Sequence, residues 1–439
     1  MMYWADKALE EEMKEKGCLV VHYEKKDFSV SYNRLMEKTA IWFEKKIVRY
    51  DSIKLTRKLH SAYKKHTFKW KRFVKDIYYN TAVNVSSRLE TKIISKEGNM
   101  IITEKPYMFY REMMLEMQIE CMFTITPFLP EVNLMGRALS SLGKPVLAFV
   151  QSFDNVTKRG WQFFLFDHYL VWNEDNKKEM LELYPSLRPE QVTITGAPQF
   201  DFHFNASYIL PRDQWLQITG IPPGKRVILY AGGVDVHFPT EPQYAVYIKS
   251  AIENNVLPAD TVLLVRSHPQ CSIERWKEFI GPSDVVYYYQ PKNGDVKANY
   301  CNVSQDEIKM LVSTLYHTDV HLNICSSMSV DGSIFNKPLI SPYFDDINKA
   351  AEPALRAIYE QKHYKEILNS GVVQLAKNKE ALIDIIKQNI DQPVTSPLAA
   401  KQCIASVLTF MDGKSTQRVL DFALQFFIDN KQNFTQDAG

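Results

Sequence analysis

Short apolar runs alternate along this chain with longer segments whose apolar positions recur every three or four residues. The runs Cys121–Thr126, Pro145–Val150, Tyr169–Trp172, Val192–Thr195, Val227–Ala231, Val262–Val265, Val285–Tyr289, Val320–Ile324 and Pro338–Ile340 predict strands, and Asn99–Thr103 reads the same way. Between them, Val132–Leu142, Glu174–Leu183, Asp213–Ile218, Gln243–Asn254, Ile308–Leu315 and Ser329–Phe335 carry helical spacing. Pro145–Val150 and Val262–Val265 are unbroken apolar runs rather than alternating ones, which predicts burial on both faces. Strand and helix in regular alternation predict parallel sheets with helices on both faces, an α/β fold.

Ala5–Lys16 reads as a helix stopped by Gly17, and Cys18–Tyr23 as a strand. No strand precedes that first helix, so the opening strand of a Rossmann-like domain is missing from the pattern. Pro211, Gly220, Pro222, Pro223 and Gly224 cluster around one short helix and mark a domain change. Domains over 1–205 and 206–439 follow. Beyond Pro353 the pattern is mostly helical, interrupted at Pro393–Pro397, with a last helix near Thr416–Asn430.

With 439 residues, 45% hydrophobic and 24% charged, the chain has the make-up of an ordinary soluble protein of two or three domains. No apolar run approaches the roughly 20 residues of a membrane span, and the charged start is not a secretory signal. Six scattered cysteines without a CxxC pair fit reduced thiols and a cytoplasmic protein. The net charge is only +2, but Lys45–Lys75 holds twelve Lys or Arg against the single acid Asp51. Leu55, Leu59, Tyr63, Trp70, Phe73 and Ile77 recur there near helical spacing. Such a helix is either a solvated cover on a domain or a patch for an anionic membrane surface. No module for nucleic acid accompanies it.

Polar residues gather where successive strands end, which is where open α/β sheets bind ligands. Arg266 and His268 follow one strand; a guanidinium forks onto phosphate, and an imidazole donates a hydrogen bond or a proton. A buried Arg–carboxylate pair beside a packed His is the structural alternative. Ser326-Ser327 reads as the cap of a helix whose first N–H groups suit an anion, with Asp331 one turn on as an acceptor for a ribose or sugar hydroxyl. Gly232-Gly233 closes another strand and lets backbone approach a phosphate, or simply turns the chain. In the first half, Asp154 is the candidate general base, with Asn155, Lys158 and Arg159 in the same loop as acceptor or phosphate contacts; His237 is the next choice of base. There is no GxGxxG, Walker loop, DxD, HExxH or hydrolase elbow, so no metal and no cofactor is expected.

The runs SFDNVTKRG, YLVWNE, VTITGAPQFD, VLLVRSHP, SSMSVDGSIFNKPLI, HYKEILNSGVV and DGKSTQR, in that order, resemble bacterial surface-polysaccharide transferases of the GT-B kind. The chain is similar to the CDP-glycerol glycerophosphotransferases and the nucleotide-sugar 2-epimerase group over roughly Pro145–Leu420. The resemblance implies two Rossmann-like domains facing across a cleft, with a nucleotide-linked donor bound by the second. It implies Arg266, His268, Ser326, Ser327 and Asp331 at the donor. Phe153 replaces the usual tryptophan of the SWDN run, and one glycine follows Ser370. The expected function is transfer of a sugar or glycerol-phosphate-like group from a nucleotide donor to a glycan or lipid-linked acceptor, in the cytoplasm or peripherally on the inner face of the cell membrane. A nucleotide-sugar 2-epimerase and a non-catalytic nucleotide-sugar-binding protein are the alternatives.

Overall fold

The computed structural model describes residues 11, 13–18, 29–33, 55, 58–59, 62–63, 99–159, 162–292 and 303–436. The predicted strand Cys18–Tyr23 lies outside these residues from position 19 onward, as do Cys301 and most of the basic stretch. Two compact units divide the chain: one of Glu24–Lys54, His66–Asp201 and Val407–Gly439, the other of Met1–Tyr23, Leu55–Lys65 and Phe202–Ser406. The change falls at Asp201/Phe202, and the chain after Val407 joins the first unit instead of staying with the second half.

The first unit runs α1 (Lys105–Glu116), β1 (Met122–Thr124), α2 (Pro130–Ser140), β2 (Val146–Phe149), α3 (Asn155–Lys158), β3 (His168–Val171), α4 (Glu174–Leu183) and β4 (Val192–Ile194). Its sheet has the order β1-β2-β3-β4, parallel throughout. β2 is buried at all four positions, as its unbroken apolar run predicts. At the edge, β1 leaves Phe123 40% exposed. Asn99–Thr103 is not a strand: Asn99–Ile101 are helical, and the Thr103 amide turns back to Met100 O. Only Ile101 of that run is buried while Ile102 faces out, a one-sided pattern that suits a turn leading into α1.

The second unit continues with α5 (Arg212–Thr219), β5 (Arg226–Ala231), α6 (Pro242–Glu253), β6 (Thr261–Arg266), α7 (Glu274–Ile280), β7 (Val286–Tyr289), α8 (Gln305–His317), β8 (Val320–Leu322), α9 (Met328–Ile334), β9 (Leu339–Pro342), α10 (Glu352–Ile358), α11 (Lys362–Asn369), β10 (Val373–Ala376), α12 (Lys379–Asp391) and α13 (Pro397–Ala405). The last helix, α14 (Ser415–Gln436), belongs to the first unit. There Asp201 caps it, taking the amides of Ser415 and Thr416 at 2.9 and 2.6 Å. β10 is a strand in a region the sequence pattern assigns to helix; it pairs in parallel with β9, Val373 opposite Leu339.

The sheet order is β10-β9-β8-β5-β6-β7, again all parallel. The chain lays down β5, β6 and β7 outward, then returns to the other side of β5 for β8, β9 and β10. β5 and β8 therefore flank a topological switch point, and the loops beyond their carboxyl ends bound a crevice. Side chains alternate along β6. Val262 and Leu264 join the core formed with Trp215, Leu216, Met310 and Leu315. Arg266, two residues beyond Leu264, leaves the strand on that same face.

The described residues of the basic stretch, Leu55, Lys58, Leu59, Ala62 and Tyr63, are helical, as its spacing predicts. Leu59 is buried, and the Tyr63 hydroxyl donates to Asp345 Oδ2 at 2.7 Å. These two apolar positions are thus packed into the second unit. Among the described residues no helix is long and apolar enough to cross a membrane.

Candidate functional site

Arg266 ends β6 with 7% of its surface exposed, and its Nε is buried without a hydrogen-bond partner. Burial lowers its pKa, while Tyr289, Glu307 and Asp331 act electrostatically in the other direction. Yet no carboxylate among the described residues comes within ion-pair distance of the guanidinium. The nearest candidates are engaged elsewhere. Glu307, in the first turn of α8, accepts the Tyr289 hydroxyl on both oxygens, at 2.9 and 3.0 Å. Asp331, in the first turn of α9, has His203 Nε2 at 2.8 Å from Oδ1. The paired Arg–carboxylate alternative is not what the fold builds. A buried cation left without a direct counter-ion is costly, and an arriving anion removes that cost.

Ser267 and His268 follow. The Ser267 side chain is fully buried, with Oγ unpartnered. His268 Nδ1 accepts the Gln270 amide at 3.1 Å. Burial, and then the Arg266 charge, push this imidazole below its usual pKa. A neutral ring whose Nδ1 accepts carries its proton on Nε2, so His268 offers a donor rather than a base. This favours anion binding over proton abstraction for this residue.

The Ser326-Ser327 pair caps α9 only in part. Ser326 Oγ accepts the Met328 amide at 3.3 Å, while Ser327 makes no side-chain cap. Cys325 precedes them at φ 43°, in the left-handed region, and lets the chain turn sharply off β8. Asn323 holds this turn by accepting from Ser326 N and Ser329 Oγ.

Gly232 and Gly233 serve packing, and their amides point inward. Gly232 N donates to Arg266 O at 2.9 Å, and Gly233 N to both oxygens of Glu241. A Cβ on Gly232 would lie 2.7 Å from Trp276, and one on Gly233 2.7 Å from Phe238. Close approach of buried rings explains the pair, and neither N–H is left for a phosphate. The loop they open continues to Asp235, held by Arg275, and to His237. Arg275 also donates to Phe238 O at 2.6 Å.

Asp154 and its neighbours lie in the first unit, the residues above in the second. Asp154 Oδ1 accepts from Ser152 Oγ and Oδ2 pairs with Lys158 Nζ, both at 2.8 Å. Asn155 is buried and accepts from Arg159 Nε at 3.4 Å. Asn176 donates to Phe153 O, and Phe153 packs on Trp172 at 5.9 Å between centroids. The polar loop of the sequence pattern is therefore one short turn, internally paired.

Sequence reasoning missed Glu307, Tyr289, His203 and Glu241. Glu307 had a signal, the Ser304-x-x-Glu307 capping pattern, but its side chain turns to Tyr289 instead. His203, in the 3-10 turn Pro198–Phe204, had none. Among the described residues no group of three or more His, Cys, Asp or Glu is placed to hold a metal ion.

The family profile described as CDP-Glycerol:Poly(glycerophosphate) glycerophosphotransferase matches residues 150–425. No curated protein matches. Solved structures that are similar include a putative UDP-N-acetylglucosamine 2-epimerase from Listeria monocytogenes, 13% identical, covering 79% of this chain and 82% of that one at a TM-score of 0.47. The UDP-GlcNAc 2-epimerase of Neisseria meningitidis bound to UDP-GlcNAc is 12% identical, covering 76% and 82% at 0.46. A glycosyltransferase from Rickettsia africae is 12% identical, covering 76% and 82% at 0.42.

Proposed function

Because the chain belongs to the CDP-glycerol:poly(glycerophosphate) glycerophosphotransferase family, a family of transferases, we propose that it moves a glycerol-phosphate or sugar group from a nucleotide donor to a surface glycan. The donor binds in the second unit, in the crevice beyond β5 and β8. The observation that carries this is Arg266, a buried guanidinium with no carboxylate among the described residues in ion-pair range. Its charge, with the Nε2 proton of His268, meets the donor's phosphates and stabilises the phosphate that departs. Asp331 accepts from a donor hydroxyl. Asp154 takes the acceptor's proton, and Asn155, Lys158 and Arg159 shape its loop.

A peripheral position on the inner face of the cell membrane belongs to the same proposal. Its support is the twelve cations of Lys45–Lys75, without the apolar residues Leu59 and Tyr63 that packing has used. An acceptor anchored in lipid would be reached from there.

Calorimetry of the whole chain with CDP, UDP and their glycerol and sugar conjugates tests the donor reading. Binding of one nucleoside diphosphate with transfer only in the presence of acceptor supports it. Conversion of a nucleotide sugar without any acceptor would favour the epimerase alternative. Binding without turnover even when acceptor is present would leave a binding protein.

A further inference from the structure

A buried arginine and a buried aspartate in each other's field usually pair, and here they do not. Asp331 is 8% exposed and acts electrostatically on Arg266. Direct pairing would quench the anion site, since the guanidinium would already hold a carboxylate. His203 sits against the aspartate instead. Its Nε2 lies 2.8 Å from Asp331 Oδ1, with only 4% of the His203 side chain exposed. The ring also packs against Phe335, 6.0 Å between centroids and inclined by 35°.

We propose that His203 is a positioning residue: it holds Asp331 off Arg266, so that Arg266 stays open to the donor's phosphates and Asp331 presents its other oxygen to the donor's ribose hydroxyls. This rests on the reading of the second unit as a nucleotide-donor site. His203 Nε2, 2.8 Å from Oδ1, occupies that oxygen and leaves Oδ2 for the ligand. One residue thereby sustains two contacts it does not itself make. Both depend on a carboxylate that stays where it is.

The test compares CDP with 2′,3′-dideoxy-CDP by calorimetry on the full chain. Wild type is expected to prefer CDP by about tenfold or more, the worth of a hydrogen bond to a charged acceptor. His203→Phe keeps the ring's packing but removes the nitrogen that faces Asp331; CDP affinity is expected to fall about tenfold and the preference over the dideoxy compound to collapse towards one. His203→Gln restores a donor near the position of Nε2 and is expected to recover most of the preference. A role confined to stability would lower the melting temperature in both variants and leave the preference intact in the folded protein.

Nitrogen NMR of the wild-type His203 ring supplies a readout that needs no variant. Its resonances are expected to shift with CDP and much less with the dideoxy compound. Full preference retained in folded His203→Phe, or equal shifts with both ligands, overturns the proposal. Failure of wild type to bind CDP or UDP at all is a different result, and it removes the donor reading along with this one.

Discussion

The amide of Gly233 donates to both carboxylate oxygens of Glu241, at 3.0 and 2.9 Å, and so closes the loop that leaves β5. Glu241 is 1% exposed, and burial raises its pKa to about 8 against the opposing pull of the Gly233 amide and Arg275. The loop at the switch point is thus tied by a carboxyl group that is largely protonated at neutral pH.

That tie has a pH signature. Glu241 holds its proton up to about pH 8 when folded and releases it near the ordinary glutamate value when unfolded. Between those values the folded state binds the extra proton, so stability falls as pH rises through this window. Chemical denaturation of wild type between about pH 5 and about pH 8 is expected to show that decline, and Glu241→Gln to flatten it by roughly one proton's worth of slope. An unchanged slope in the variant would place the titration elsewhere.

The two sheets were legible because every strand from β2 to β9 is a compact apolar run flanked by helical spacing. β10 was not, since Val373–Ala376 follows closely on the helical run of α11 and its apolar run is broken by Gln374. Arg266 and His268 could be found because they stand immediately after a strand. The residues around them could not: Tyr289, Glu307 and His203 come from other segments, and only tertiary packing brings them there. Gly232-Gly233 shows the converse. A glycine pair after a strand marks a close approach, but sequence does not say to what, and here it is to Trp276 and Phe238.

Asp154 sits in a different unit from Arg266, paired with Lys158 and Ser152. Asp154→Asn keeps the side chain's size but cannot take up a proton. Donor affinity is expected to be unchanged and turnover to fall about 100-fold, as for loss of a general base. Turnover close to wild type would reduce Asp154 to an ion pair that shapes its loop and pass the base role to another residue.

The basic stretch has a packed part and, on the proposal above, a membrane-facing part. Tyr63 gives Asp345 one of its hydrogen bonds, beside Thr240 Oγ1 at 2.6 Å and the Asn348 amide at 2.8 Å. Although burial works against its charge, these bonds hold Asp345 below the usual carboxylate range. In the proposed membrane contact each cation of the stretch is worth about 1 kcal/mol near an anionic surface. Replacing Lys64, Lys65, Lys69, Lys71 and Arg72 by glutamate is expected to abolish co-sedimentation with anionic vesicles, and raised salt to release the wild type. Equal sedimentation of the two folded proteins would leave the stretch as a solvated helix and remove the membrane from the proposal.

The central claim is that Arg266 is buried for the sake of an anionic donor, and Arg266→Met tests it most directly. Methionine keeps much of the length and apolar stem but removes the charge. Calorimetry with CDP is expected to show at least a tenfold loss of affinity, the lower bound for a charge-assisted contact worth about 1.5–3 kcal/mol. Thermal stability without ligand is expected to hold or rise, because a guanidinium with no ion-pair partner among the described residues no longer has to be buried. A folded Arg266→Met protein that binds CDP as tightly as wild type would contradict the account.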